Sequence, residues 1–358
     1  MRSMKFFSRT AVAVATVGAL ALSGCAGAGD STDGGSAGSP EPAGGDLTKV
    51  TYALDWEPNT NNLALFVAQE LGYFAEEGIE VEVLPYASTP VSQLVSAGEA
   101  DFGVGGQSGT QMARTSGLDV KQVFATAQTD VGSIVALGDR DDITRPKDLD
   151  GKTFGGFGSP LFVAMAAGTI KGDGGKGEFT EVVLDTGAYE ALKSGSIDFT
   201  LSVRTWENIN AEIEGHPYKE WRYQEFGVPD QQAGGVISSE KFLNENPDVA
   251  KKFIAAFAKG HQYAADNPEE AAKLLIQANP DTLGEAEELV TKSAKLMASE
   301  GILVSPERPV GAFNPEFWEA YGKFLFDGGF LVDEAGEPVT EVPDWSEYYT
   351  AEFLPSGS

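Results

Sequence analysis

Four short clusters carry the residue types from which a small-molecule site can be built: Asp55-Trp56-Glu57-Pro58-Asn59-Thr60-Asn61-Asn62, Gly105-Gly106-Gln107-Ser108-Gly109-Thr110, Gly155-Gly156-Phe157-Gly158-Ser159 and Arg204-Thr205-Trp206-Glu207. Asn, Gln and Ser offer oriented donors and acceptors, Trp and Phe offer flat apolar faces for a ring, and Asp and Glu accept from an amine. Taken singly, each cluster reads equally well as a capped turn. Trp56 and Trp206 also suit core packing, and Glu207 suits the first turn of a helix, where an acid complements the dipole. A shared cleft is favoured because all four follow a predicted strand, and open α/β sheets bind ligands beyond the carboxyl ends of their strands.

Catalytic and metal chemistry find little to work with. The two histidines, His216 and His261, are far apart in sequence and have no neighbouring His or Cys, so zinc and Ser-His-Asp arrangements are not expected. Gly172-Asp-Gly-Gly-Lys-Gly177 matches a dinucleotide pattern literally, yet it precedes a strand instead of opening a helix, which makes it a loop. No phosphate loop or EF-hand spacing occurs. No metal, no cofactor and no enzymatic activity are expected.

The elements that must position the four clusters alternate strand and helix. Strands are predicted at 49–54, 81–85, 101–105, 120–126 and 133–137, with a helix at 62–71 closed by Gly72 and another running from Ser88-Thr89-Pro90 to Gly98. From Lys152 the pattern restarts: a strand at 153–157, a helix opening at Ser159-Pro160, a strand at 181–184, a helix near Tyr189 and a strand at 199–203. Such alternation predicts α/β architecture with parallel strands. After Ser239 the chain is chiefly amphipathic helix, with Phe253, Ala256 and Phe257 at helical spacing. One echo links the halves: Leu94-Val-Ser-Ala-Gly98-Glu-Ala-Asp101-Phe102 and Leu192-Lys-Ser-Gly195-Ser-Ile-Asp198-Phe199 both end a helix at Gly and start a strand at Asp-Phe.

Composition bounds the partners. With 25 basic against 54 acidic side chains among 358 residues, the net charge is −29, which leaves no basic footprint for nucleic acid. Arg2, Lys5 and Arg9 precede a short apolar run, Ala11 to Leu22, which reads as a secretory signal and is too short to span a bilayer. Next comes Leu22-Ser23-Gly24-Cys25, which resembles a bacterial lipobox and holds the only Cys of the chain; an ordinary signal peptide followed by a Cys is the alternative. One Cys excludes an intramolecular disulfide. Cleavage would leave 22 basic and 54 acidic groups, a net of −32, so the membrane is approached through the lipid anchor alone. Ala26 to Gly45, nearly all Gly, Ser, Ala, Pro and acids, reads as a flexible tether before a body of about two core-forming units.

Ala53-Leu54 and the Asp55 to Asn62 run, followed by Leu65-Phe66-Val67-Ala68, Gly72-Tyr73-Phe74 and Gly78-Ile79-Glu80-Val81, resemble the thiamine pyrimidine precursor group of ABC importer substrate-binding proteins, a superfamily that also contains the fungal thiamine pyrimidine synthase. The resemblance spans roughly 48–280 and includes Trp206-Glu207-x-Ile209-x-Ala211-Glu212. It implies a type II periplasmic-binding-protein fold: an α/β chain in two lobes with two crossings, near 137–152 and 234–238, and a ligand cleft between them. The expected division is a signal at 1–24, a lipidated tether at 25–46, lobe one at 47–137 and 238–358, and lobe two at 138–237. The implied protein is a monomer, lipid-anchored through Cys25 to the outer face of the bacterial cell membrane, which hands a small heterocycle to ABC permease and ATPase subunits.

In that reading Trp56 stacks one face of an aminopyrimidine, and Tyr189, Phe157 or Trp206 stacks the other. Asp55, Asn59, Asn61, Asn62, Gln107, Ser108 and Ser159 supply polar contacts, and Glu207 accepts from the exocyclic amine. Two departures stand out. Asn61-Asn62 occupies the place where the group commonly has Asn-His, and Pro229 to Gly235 has no Cys where the fungal enzyme is cysteine-rich. The first leaves riboflavin, another heterocycle, or an alkylsulfonate or taurine open as the ligand, and the two together argue against the enzyme branch.

Overall fold

A computed structural model describes residues 47–355. The expected signal peptide, the Cys25 anchor and the tether lie outside the described residues. The chain begins with β1 (Thr48–Ala53), α1 (Leu63–Glu70), α2 (Tyr73–Glu76), β2 (Ile79–Leu84), α3 (Val91–Ala97), β3 (Phe102–Val104), α4 (Gln107–Thr115) and β4 (Lys121–Ala125). It continues with β5 (Gly132–Leu137), β6 (Thr153–Gly156), α5 (Pro160–Gly172), β7 (Thr180–Val183), α6 (Gly187–Lys193), β8 (Phe199–Val203), α7 (Glu207–Ile213) and β9 (Tyr218–Arg222). Then follow β10 (Gly235–Ser238), α8 (Glu240–Glu245), α9 (Pro247–Asp266), α10 (Pro268–Ala278), α11 (Pro280–Leu283), α12 (Glu287–Ser299) and α13 (Pro315–Asp327).

Two five-stranded sheets result, ordered β2-β1-β3-β10-β4 and β7-β6-β8-β5-β9. The β2-β1-β3 and β7-β6-β8 triplets are parallel, as the alternation predicts. The fourth strand of each sheet is antiparallel to its neighbours: β10 against β3 and β4, and β5 against β8 and β9. The all-parallel expectation is therefore corrected to two mixed sheets. Each antiparallel strand arrives from the other lobe, and so runs against the local strand direction.

The repeated turn explains why the two frames match. Gly98 and Gly195 both adopt left-handed backbone, φ 74° and 72°, which ends α3 and α6. Past each turn an Asp carboxylate ties the next strand to the central one: Asp101 accepts the Thr51 amide and hydroxyl at 2.8 and 2.9 Å, and Asp198 accepts the Thr153 amide at 2.8 Å.

The lobe boundaries differ from expectation. Leu137 of β5 pairs with Tyr218 of β9, so 132–137 belongs to the second lobe and the first crossing is 126–131. Residues 138–152 lie wholly within that lobe. The second crossing is 223–234, since β10 already sits in the first sheet from Gly235. The C-terminal part is not confined to the first lobe either: Trp318, Tyr321 and Leu325 of α13 join one buried cluster with Met165, Ile170 and Trp221 of the second. The tail meanwhile pairs Tyr349 with Gln122 of β4.

Candidate functional site

Between the lobes lies a cavity of about 360 Å³, walled by the carboxyl ends of β1, β3 and β8, both crossings, and side chains from α5, α6, α9, α12 and α13. Five of the expected residues line it: Asp55, Asn61, Ser108, Phe157 and Tyr189. Phe157 and Tyr189, with ring centroids 6.2 Å apart, and Phe162, edge-on to Phe157 at 6.1 Å, form an aromatic corner on the second lobe. Asp55 is exposed, and desolvation by the protein around it raises its pKa.

The other candidates lie elsewhere. Trp56 is 47% exposed and packs its ring against Tyr86, 5.3 Å away, off the cavity wall. Asn59 and Asn62 are consumed in a capping box: the Asn59 side chain accepts the Asn61 amide, and the buried Asn62 accepts the Asn59 amide. Gln107 is fully buried, donating to the Phe317 carbonyl and accepting the Gln232 amide, so it fastens α4 to α13 and the second crossing. Ser159 stands before Pro160 at the start of α5, away from the wall. Trp206 packs on the buried cluster of the first lobe, across the seam between lobes. The Glu207 carboxylate accepts the Val203 amide at 3.0 Å, the local role open to an acid at a helix start; burial raises its pKa.

Sequence reasoning missed the crossings and α13. Asp130 and Gln231 face the cavity from the two crossings, and Tyr52, Tyr223, His261 and Tyr321 complete the wall. Tyr321 reaches the Met165 sulfur at 3.6 Å. No local pattern marks these residues, because they meet only when crossings separated by about a hundred positions come together. The His261 Nε2 lies 2.8 Å from the Leu303 carbonyl oxygen, and burial lowers its pKa to about 4, so it is neutral at pH 7 and donates there. Asp130 is 6% exposed, and its carboxyl is pushed up, first by desolvation. The wall thus carries two carboxylates, and neither Lys nor Arg lines it among the described residues.

One glycine is required by this geometry. A Cβ on Gly106 would lie 2.0 Å from the Ala233 carbonyl, so only Gly lets the β3 end approach the second crossing.

A family model described as NMT1/THI5 like matches residues 59–271. The chain belongs to this family. It is 30% identical over 284 residues to a formylaminopyrimidine-binding protein of Halalkalibacterium halodurans, covering 76% of this chain and 83% of that one. Identity is 26% over 328 residues to the riboflavin-binding protein RibY of Chloroflexus aurantiacus, with 87% and 88% covered. A 4-amino-5-hydroxymethyl-2-methylpyrimidine phosphate synthase of Saccharomyces cerevisiae, THI13, is 25% identical over 246 residues, with 65% and 72% covered. Among solved structures, a ligand-binding component of an ABC-type import system from Staphylococcus aureus superposes with a TM-score of 0.64 at 12% identity, covering 87% of this chain and 99% of that one. A Candida albicans protein described as having the generic periplasmic binding protein structural fold gives 0.58 at 17%, with 87% and 98% covered. The fold is that of the periplasmic binding proteins. The relatives thus include both binding proteins and synthases, and the chemistry of the cleft must separate them.

Proposed function

We propose that this NMT1/THI5-like protein is the extracytoplasmic solute-binding subunit of an ABC importer, lipid-anchored through Cys25, and that it captures an aminopyrimidine precursor of thiamine. The observation that carries the ligand class is the charge of the wall. Two carboxylates, a neutral His261 and an aromatic corner suit a flat ring bearing N–H donors. They oppose a sulfonate, which offers only acceptor oxygens and a negative charge. The one cation of the candidate clusters, Arg204, is already engaged: its Nε donates to Glu220 at 2.9 Å, and its terminal nitrogens to Glu300 at 2.6 and 3.1 Å. Its charge is thus offset before any anion arrives.

Binding in place of catalysis is supported by the relatives named for binding pyrimidine and flavin, and by the lack of Cys from Pro229 to Gly235, where the fungal enzyme is cysteine-rich. Asp55, Asn61 and Ser108 supply polar contacts from the first lobe, and Phe157 and Tyr189 stack from the second. A second hollow of about 400 Å³ shares Asp55 and Val104 with the cavity and is bounded by Tyr86, so a larger ring system such as a flavin is the other reading worth testing.

Calorimetric titration with a formylated aminomethylpyrimidine, with riboflavin and with taurine separates these. Heat from the pyrimidine alone is the expected result; binding of taurine with none of the pyrimidine removes the proposal. For the anchor, Cys25→Ser is expected to leave the detergent phase, and a variant that still partitions there removes the lipid claim.

A further inference from the structure

We infer that Asp130 is the specificity-determining residue of the cleft, choosing ligands whose ring edge presents N–H donors over those whose edge presents acceptors alone. The inference rests on the proposed reading of the cavity as a heterocycle site and narrows it to one atom pair. Asp130 belongs to the first crossing, and its side chain faces the cavity. Its Oδ1 accepts the Gly132 amide at 2.7 Å, and its Oδ2 accepts the Gln231 side-chain amide at 2.7 Å. A carboxylate has about four acceptor positions, so these two bonds leave about half its capacity to the cavity.

The neighbours do not fill that capacity. Around Asp130 stand Asp230 from the second crossing, Arg222 at the end of β9, and the Tyr223 and Tyr321 hydroxyls. Asp230 adds repulsion. Arg222 attracts Asp130, yet no ion pair among the described residues includes it. The Tyr223 hydroxyl is spent on the Ser133 carbonyl at 3.1 Å, and Tyr321 points to Met165. A desolvated carboxylate that no ion pair neutralises is costly, and a ligand that brings N–H donors or a protonated ring nitrogen relieves the cost. A ring edge with acceptors alone in the same place sets acceptor against acceptor.

Asp230 makes the contrast plain. It accepts the Asp130 and Gln231 amides at 2.8 Å each, the Gln224 side-chain amide at 3.1 Å and the Thr129 hydroxyl at 2.7 Å, so its capacity is used within the crossings. Asp130, on the first crossing, bonds to Gly132 at the start of β5 and to Gln231 on the second crossing. A ligand that grips it therefore contacts the joint between the lobes.

The test compares 4-amino-5-hydroxymethyl-2-methylpyrimidine with its 4-methoxy counterpart, whose ring edge has acceptors and no N–H, by calorimetry. Wild type is expected to prefer the amino ring by roughly ten- to hundredfold, the size of a charge-assisted hydrogen bond. Asp130→Asn, whose amide can turn either way, is expected to reduce the preference to about threefold or less. Asp130→Glu keeps the charge and is expected to retain the preference at weaker affinity; Asp130→Ser stands in for the Asn variant if that one does not fold. Asp55→Asn is expected to weaken both ligands alike. A merely structural Asp130 would change the melting temperature and leave the amino-to-methoxy ratio where it was, and that result overturns the inference. Loss of the ratio in Asp55→Asn overturns it too. Wild type that binds neither pyrimidine instead overturns the reading of the site.

Discussion

The two lobes share one strand order and differ in what stands behind and at the ends of it. In the first lobe, Phe102 of β3 stacks on Phe253 of α9 at 4.1 Å, within a cluster that extends through α1, α10 and α12. In the second, the corresponding Phe199 of β8 meets Phe154 at 5.1 Å and Phe179 at 5.4 Å, within a cluster that extends through α5 and α13. On the cleft side the first lobe offers Asp55, Asn61 and Ser108, and the second offers Phe157, Phe162 and Tyr189. A repeated scaffold thus presents a polar wall and an aromatic wall, because the turn that sets strand order is separate from the loops that face the ligand.

The strongest way to probe the shared scaffold is to remove its matched aromatics. Phe102→Ala and Phe199→Ala are each expected to cost about 3–5 kcal/mol, read as a lower denaturant midpoint. If either variant lost less than about 1 kcal/mol, the two positions would not be equivalent.

A difference between the lobes should show on acidification. His261, on the first lobe, is held neutral by burial, with its pKa lowered to about 4 against 6.5 when unfolded. The unfolded chain then binds the proton first, so stability is full above pH 6.5 and falls as pH drops toward 4. The loss is about 3 kcal/mol. Denaturant titrations between pH 7 and 4 should show it, and His261→Gln should flatten that part of the profile. An unchanged slope in the variant would remove His261 as the cause.

The seam between the lobes is expected to contribute less. Arg204 to Glu300 joins β8 of the second lobe to the end of α12 of the first, and Lys292 to Glu212 adds a 3.6 Å pair along the same helix. Arg204→Gln is expected to weaken ligand binding by about 1 kcal/mol or less, with a larger scattering radius and reduced sensitivity to salt. Identical scattering curves would show that the seam does not hold the lobes. The smallest effect is assigned to Glu207→Gln, since the carboxylate serves the Val203 amide: a melting shift worth about 0.3–1 kcal/mol, with pyrimidine affinity retained. A tenfold loss of affinity would return Glu207 to the ligand.

Much of the frame was legible without coordinates. Strands at 49–54, 81–85, 153–157 and 199–203 lie within two residues of β1, β2, β6 and β8, because β-branched and aromatic runs bounded by Gly and Asp are local signals. The Gly98 and Gly195 turns were legible for the same reason. The antiparallel strands were not, because nothing in Ser133 to Leu137 or Gly235 to Ser238 says which sheet it joins. Half of the site was misjudged in the same way: Trp56, Asn59, Asn62 and Gln107 have the right chemistry for a ligand, yet their nearest partners are Tyr86, one another, and the backbone of α13.

The sequence by itself determined the element order, the repeated Gly-to-Asp turn, the acidic charge and the family, since each depends on neighbours a few positions apart or on composition. Only the tertiary structure decided where the chain crosses, that α13 spans both lobes, and that Asp130 faces the cavity. Those outcomes depend on segments about a hundred residues apart burying their apolar faces together, and which polar group is left to meet a ligand is settled only after every other partner has been assigned.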